Sequence, residues 1–137
     1  MSVVAAAGNF DADNVLTPYY PASLGNTNLI SVAATDHNDD LAVFPSGGSH
    51  YGANTVDLAA PGSQILTTTI GGWGTWSGTS FAAPMVAGTA AMILDVNPSA
   101  TPTEVRQILI DSVDSLPSLD GRMVSGGRLN AASAVSL

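Results

Sequence analysis

Three short apolar runs constrain the fold of this 137-residue chain more than any other feature of its sequence. They are "VVAAA" from Val3, "LISVAAT" from Leu29 and "VDLAAPG" from Val56, and polar residues or Pro-Gly end each of them. Strands that are apolar throughout are typical of a sheet buried on both faces, and such sheets are mostly parallel. "SQILTTT" predicts a further strand, and the turn-rich "GGWGTWSG" allows a short hairpin. The sequence therefore predicts an α/β fold with a largely parallel sheet.

Helical patterns fill the second half of the chain. The first predicted helix begins at Gly78-Thr79-Ser80, with Thr79 as a possible N-cap, and ends near Asn97-Pro98. Its apolar residues lie almost all around the helix, which predicts full burial.

Two more helices follow. Thr101, Pro102 and Glu104 stand where an N-cap, a first-turn proline and the glutamate of a capping box are expected. A short helix capped by Asn130 is predicted at the end of the chain. Neither a repeat nor a linker divides the sequence, so residues 1–137 are predicted to form one domain.

The charge of the chain excludes several classes of function. Eleven acidic residues against three basic ones give a formal net charge of −8. Such a chain cannot neutralise a phosphate backbone, so nucleic acid is not an expected partner, and neither is an anionic membrane. Cysteine is absent, which excludes disulfides and thiolate chemistry. No apolar run is expected to span a bilayer, and the N-terminus does not have the pattern of a signal peptide.

Ser80 stands at the first turn of an otherwise apolar helix. By itself a serine there is most often a helix cap. Three features favour a chemical role: Thr79 can already supply the cap, Gly78 allows close approach, and Ala82 and Ala83 leave room around the hydroxyl. The helix N-terminus also offers free N–H groups and positive potential, which would stabilise an oxyanion beside a nucleophile.

"GTSFAAPMVAG", from Gly78 to Gly88, resembles the nucleophile motif of the subtilisin-like serine proteases. "VVAAAGN" resembles the strand that ends at the oxyanion-hole asparagine of that family, and "LISVAATD" and "VDLAAPG" resemble the segments between the two motifs. The resemblance covers essentially the whole chain. It implies a partial subtilisin-like three-layer fold, with a mostly parallel sheet and flanking helices. It also implies that Ser80 is the nucleophile and that Asn9 donates its side-chain amide to the tetrahedral intermediate.

The family's catalytic Asp and His are not matched. In subtilases their segments precede the oxyanion asparagine, so residues 1–137 are expected to be the C-terminal portion of the catalytic domain. His37 and His50 are the histidines available. Both lie in turn-rich surroundings, where surface histidines are the expected interpretation. Without a general base Ser80 stays a weak nucleophile, so the chain is expected to be inactive alone.

Other expectations follow from the resemblance. Ala7, Gly8, Gly78 and Thr79 are expected to line part of the substrate site. Asp57 is a candidate calcium ligand with carbonyls near Pro21 and Ser23, although a hydrogen-bonded aspartate at a strand end is slightly favoured. No cofactor is expected to be required for the chemistry.

Acidic clusters elsewhere favour no metal site. Asp11, Asp13 and Asn14 lack the rest of a calcium loop, and "DHNDD" from Asp36 reads as a solvated turn.

Several alternatives stay open. The expected partners are a polypeptide substrate and either the missing N-terminal half of the domain or a second copy, paired through an open sheet edge. Family resemblance implies an extracellular protein. The competing interpretations are a non-catalytic module that keeps the fold for binding or self-assembly, and a small active hydrolase that uses His37 or His50.

Overall fold

A computed structural model describes residues 1–136. The elements in chain order are β1 (Val3–Ala6), β2 (Leu29–Thr35), β3 (Leu58–Pro61), β4 (Ile65–Thr69), β5 (Gly72–Trp76), α1 (Thr79–Val96), α2 (Pro102–Asp111), β6 (Asp114–Ser115), a 3₁₀ turn (Pro117–Leu119), β7 (Gly127–Arg128) and α3 (Ala131–Ala134).

The apolar runs form the centre of a five-stranded sheet in the order β1-β2-β3-β7-β6. β1, β2, β3 and β7 run parallel, and β6 pairs antiparallel with β7. Every residue of β2 is buried, as expected for an apolar strand in the middle of such a sheet. The predicted α/β fold with a mostly parallel sheet is confirmed.

The two faces of the sheet are covered differently. Ile30, Val32 and Leu58 pack against α1 and α2, in a cluster that also contains Val86 and Ile93. On the opposite face, Ala33 and Ala59 pack with Val56, Leu119 and Met123, which belong to loops and the 3₁₀ turn. All three helices therefore lie on one side of the sheet, where α1 contacts β1, β2 and β3.

The β1 edge of the sheet carries no strand in the described part of the chain. Val3 donates its backbone N–H to Asn28 O and Ala7 donates to Val32 O. Because backbone groups alternate along a strand, the N–H groups of Val4 and Ala6 point to the open edge. Such an edge is a template for another strand.

The predicted strand in "SQILTTT" is present as β4, and it pairs antiparallel with β5 from the turn-rich segment after it, separate from the main sheet. Trp73 and Trp76 on it are exposed. The predicted capping box of α2 is confirmed, since Thr101 accepts from Glu104 N while the Glu104 carboxylate accepts from Thr101 N. Asn130 caps α3 as predicted.

The expected full burial of α1 is wrong. Its buried residues are Thr79, Ala82, Val86, Thr89, Ala90 and Ile93. We call these six residues the inner face, and the exposed residues Pro84, Met85, Ala87, Gly88, Ala91, Met92, Leu94, Asp95 and Val96 the outer face. The apolar pattern overestimated burial because it counts apolar residues all around the helix, whereas α1 meets the sheet along one face only.

The length of α1 also corrects the expectation that no apolar run could span a bilayer. With 18 residues and a mean hydropathy of 1.4, α1 is long and apolar enough to cross a membrane by length and composition alone. Core helices of soluble proteins pass the same test, and α1 packs on the sheet through its inner face.

Candidate active site

The start of α1 meets the end of β1 at the carboxyl edge of the parallel sheet, the edge where ligands bind in open α/β sheets. Gly78 donates its backbone N–H to Gly62 O at 2.8 Å, which ties the helix start to the end of β3. Thr79 lies beside Gly8 and Asn9, about 70 positions away along the chain. The structure thus brings together the two segments that the sequence singles out.

Thr79 holds the Asn9 side chain by its oxygen. Asn9 Oδ1 accepts from the Thr79 backbone N–H and from the Thr79 hydroxyl, each at 2.9 Å. The amide nitrogen, Asn9 Nδ2, donates to no group within residues 1–136. With its oxygen fixed and its nitrogen free, the carboxamide presents a donor.

The position of Thr79 differs from the prediction that it caps the helix. The N-cap is Gly78, with φ 152° and no side-chain hydrogen bond, and Thr79 is the first helical residue. The Thr79 hydroxyl is within hydrogen-bond distance of Gly8 N at 3.2 Å and Gly8 O at 3.3 Å, besides Asn9. The hydroxyl that could have capped α1 instead joins it to β1.

Ser80 is exposed at the second position of α1. Within the described chain no acceptor takes its backbone N–H, and its hydroxyl has no hydrogen-bond partner. The positive φ of Gly78 is strained for any other residue, although a Cβ there would make only an ordinary contact of 3.4 Å with Asn9 Nδ2. Chemically, the arrangement offers a serine hydroxyl with unused N–H donors nearby.

The four residues predicted to contact substrate lie at this junction and are all buried: Ala7, Gly8, Gly78 and Thr79. The polar groups of three of them are already used to hold the junction. Ala7 O accepts from Asn14 Nδ2, Gly8 O accepts from His50 N, and Gly78 N–H donates to Gly62 O. They therefore form the support beneath Asn9 and Ser80.

The histidines occupy different environments. His37 lies in an exposed turn, as predicted. The surface-loop expectation for His50 is wrong, because its ring is buried between Phe10 and Tyr19 and lies against Gly8. Neither ring hydrogen-bonds Ser80 in the described residues. No repeating apolar pattern marked His50 as buried, since it stands between Ser49 and Tyr51 in a glycine-rich segment.

Asp57 is buried just before β3, and both of its oxygens are occupied. Oδ2 accepts from Ser31 N at 2.9 Å, and Oδ1 forms an ion pair with Arg106 of α2. A small cavity beside the pair is lined by Ala22 and Ser23, close to the carbonyls considered as calcium ligands. Among residues 1–136 no cluster of three or more acidic or histidine side chains could hold a metal. The Arg106 guanidinium already places a positive charge at this carboxylate, and the calcium site at Asp57 stays a prediction.

The acidic turn at Asp36 is more ordered than a solvated charge run. Asp36 Oδ1 accepts from the backbone N–H groups of Asn38 and Asp40. Asp39 pairs with Arg128 of β7, which also pairs with Asp114 of β6. This network connects the turn after β2 to β7 and β6, at the end of the sheet opposite β1.

Comparison with known proteins agrees with this geometry. The model of the Subtilase family matches residues 1–128. The A subunit of subtilase cytotoxin from Escherichia coli is 37% identical over 98% of this chain and 44% of its own length. Thermitase from Thermoactinomyces vulgaris is 41% identical over 97% of this chain and 43% of its own length.

Solved structures give the same result. A chain from the assembled subtilase cytotoxin has a TM-score of 0.85 at 34% identity, covering 98% of this chain and 48% of that one. A protease of Pseudoalteromonas arctica has a TM-score of 0.86 at 33% identity, covering 99% of this chain and 42% of that one. The chain spans less than half the length of the curated relatives named here.

Proposed function

The chain belongs to the subtilase family, and from that membership we propose that it forms the part of a serine endopeptidase that carries the nucleophile and the oxyanion hole. Ser80 is the proposed nucleophile, and Asn9 Nδ2 and the Ser80 backbone N–H are the proposed oxyanion donors. The observation that carries the proposal is the pair of hydrogen bonds from Thr79 to Asn9 Oδ1, which leave Nδ2 free beside the helix start.

The proposed reaction is hydrolysis of a peptide bond through an acyl-enzyme. The Ser80 oxygen forms a bond to the scissile carbonyl carbon while a general base takes the hydroxyl proton. Negative charge develops on the carbonyl oxygen, where the two N–H donors stabilise it. The peptide C–N bond then breaks, the amine leaves with that proton, and water hydrolyses the ester. No step requires a cofactor.

The general base is proposed to come from outside these 137 residues, so the chain is inactive alone. The exposed position of His37 and the contacts of His50 support this view, since neither ring has a hydrogen bond to Ser80 within the described residues. The relatives named above are more than twice as long as the chain, which leaves room for the Asp and His segments of the family.

Two surfaces support a polypeptide partner. The outer face of α1 exposes Met85, Met92, Leu94 and Val96, and β1 has an open edge within residues 1–136. We propose that the rest of the catalytic domain covers both. If it is absent, self-association through the same surfaces is expected, and a strictly monomeric chain by light scattering would contradict that expectation.

A non-catalytic binding module is the second candidate, and the same two surfaces support it. A fluorophosphonate probe distinguishes it from the protease. We expect no labelling of the chain alone, and labelling of Ser80 after addition of a polypeptide carrying the family's Asp and His segments. Ser80→Ala should abolish the labelling.

The outcomes of that experiment separate three interpretations. Labelling of the chain alone, lost in Ser80→Ala, would support a small hydrolase with its own base. Association without labelling would support the binding module. In the combined protein, Asn9→Ala should lower turnover by about 10²–10³, a magnitude known from subtilisin itself, a member of this family.

The substrate class and the location are also proposals. A polypeptide substrate and an extracellular location are proposed because subtilases are proteases that are generally secreted. We propose that Arg106 supplies the positive charge beside Asp57, so structural calcium is not needed there. Thermal unfolding with EDTA and with millimolar Ca²⁺ should then give the same Tm, and a Ca²⁺-dependent rise lost in Asp57→Asn would contradict this.

A further inference from the structure

His50 lies directly under the segment that carries Asn9. His50 is 3% exposed, and a Cβ added to Gly8 would lie 2.5 Å from His50 Nδ1. Only glycine therefore fits at position 8 while the ring stays in place. The backbone N–H of His50 also donates to Gly8 O at 2.9 Å.

The Asn14 side chain connects the ring to the same segment by hydrogen bonds. Asn14 Nδ2 donates to Ala7 O at 3.0 Å, so Asn14 Oδ1 must be the acceptor in its 2.8 Å contact with His50 Nδ1. This assigns the proton to Nδ1 and leaves a lone pair on Nε2, as in a neutral imidazole. Nε2 is buried and has no partner within residues 1–136.

From these contacts we propose that His50 is a positioning residue, whose neutral ring holds residues 7–9 through Gly8 and Asn14 and thereby keeps the Asn9 amide in place beside Ser80. The inference rests on the proposed role of Asn9 as an oxyanion donor. His50 itself touches no reacting atom and is not a catalytic residue.

Protonation should release this support. A proton on Nε2 would create a buried donor with no acceptor, and a shift of the ring away from Gly8 would relieve it. Besides Gly8 and Asn14, the side chains that face the ring are those of Phe10 and Tyr19, and the Asp11 carboxylate is the charge that acts on it. Burial lowers the pKa of His50 from its ordinary value of 6.5, and Asp11 opposes that shift in part.

Nuclear magnetic resonance on the chain tests the proposal without any need for activity. The probes are the His50 ring nitrogens, the backbone amides of Gly8 and Asn9, and the Asn9 side-chain NH₂. The Ile93 amide in the inner face of α1 is the control. Between pH 8 and 4.5 we expect the three Gly8 and Asn9 signals to shift with the midpoint of the ring, below pH 6.5, while Ile93 does not follow.

Two variants of His50 make the test specific. His50→Asn places an amide N–H where Nδ1 lies and has no group that titrates, so the Gly8 and Asn9 signals should lose the acid step, apart from a constant offset caused by loss of the aromatic ring. His50→Gln places its amide near Nε2 instead and should displace those signals at every pH. If His50→Gln does not fold, the wild-type titration and His50→Asn decide the matter.

Several results would overturn the proposal. The ring could titrate while Gly8 and Asn9 stay unchanged, Ile93 could shift with the same midpoint, or His50→Asn could retain the acid step. None of these results bears on whether Ser80 is labelled in the combined protein. Failure of that labelling would remove the proposed function and leave the structural link between His50 and Asn9 intact.

Discussion

The two faces of α1 are both largely apolar, but only one of them is buried. Ile93 on the inner face is 1% exposed, whereas Met92, its neighbour in sequence, is 44% exposed. The inner face packs on three strands of the sheet, and the outer face meets solvent in the part of the chain described. Extended apolar surfaces of this kind mark interaction sites. The hydropathy of α1 therefore predicts burial all around the helix, whereas the described chain covers the inner face alone.

The largest expected difference between the faces comes from adding a charge to each. Val86→Asp places a carboxylate in the core, where an unpaired ion costs several kcal/mol, so the chain should not fold. Ala87→Asp makes the same addition one residue away on the outer face, where about 0.5 kcal/mol or less is expected. Far-ultraviolet circular dichroism and urea unfolding measure both. Equal effects of the two substitutions would contradict the assignment of faces.

The next largest difference in the free energy of unfolding is expected when two neighbouring apolar residues, one on each face, are truncated. Ile93→Ala leaves a cavity in the core and should lower the free energy of unfolding by about 2–5 kcal/mol. Leu94→Ala, on the exposed side, should cost about 1 kcal/mol or less because Leu94 remains 38% exposed in the fold. Chemical denaturation gives both values. A loss at Leu94 as large as that at Ile93 would mean that something covers the outer face in solution.

Association should depend on the outer face. Met92→Glu places a charge on it, and if self-association uses this surface the dissociation constant should rise about tenfold or more, which corresponds to about 1.4 kcal/mol. Thr103→Glu adds the same charge to an exposed position on α2 and serves as the control. Sedimentation equilibrium measures the two constants. A similar change in both variants would point to net charge, and no change in either would leave the β1 edge as the candidate surface.

Features with a local cause could be predicted from the sequence. β1, β2 and β3 are continuous apolar runs, and the α2 capping box depends on residues three positions apart. The partial subtilisin-like fold was predicted from the motif at Gly78 to Gly88 and from the further segments that resemble the same family. The nearness of Asn9 and Thr79 could be predicted only from the family resemblance, because nothing in their local sequences connects them.

Features that depend on distant contacts could not be predicted. β6 and β7 are two residues each and exist because β7 pairs with β3 and β6 pairs with β7. His50 is buried because Gly8 has no side chain and because Asn14 accepts its ring N–H. The outer face of α1 was expected to be buried because hydropathy records what a residue prefers, and not whether a partner is present to cover it.

The smallest effect is expected at Thr89, the polar residue in the middle of the inner face. Thr89 is 3% exposed, and its hydroxyl donates to Met85 O, four residues earlier in the same helix. Thr89→Val replaces the hydroxyl with a methyl group of similar size. Met85 O keeps its helical acceptor role, so no buried group loses its only partner, and a change within about 0.5 kcal/mol is expected from urea unfolding. A loss above about 2 kcal/mol would show that the hydroxyl has a further partner, and that the inner face is not held by apolar packing alone.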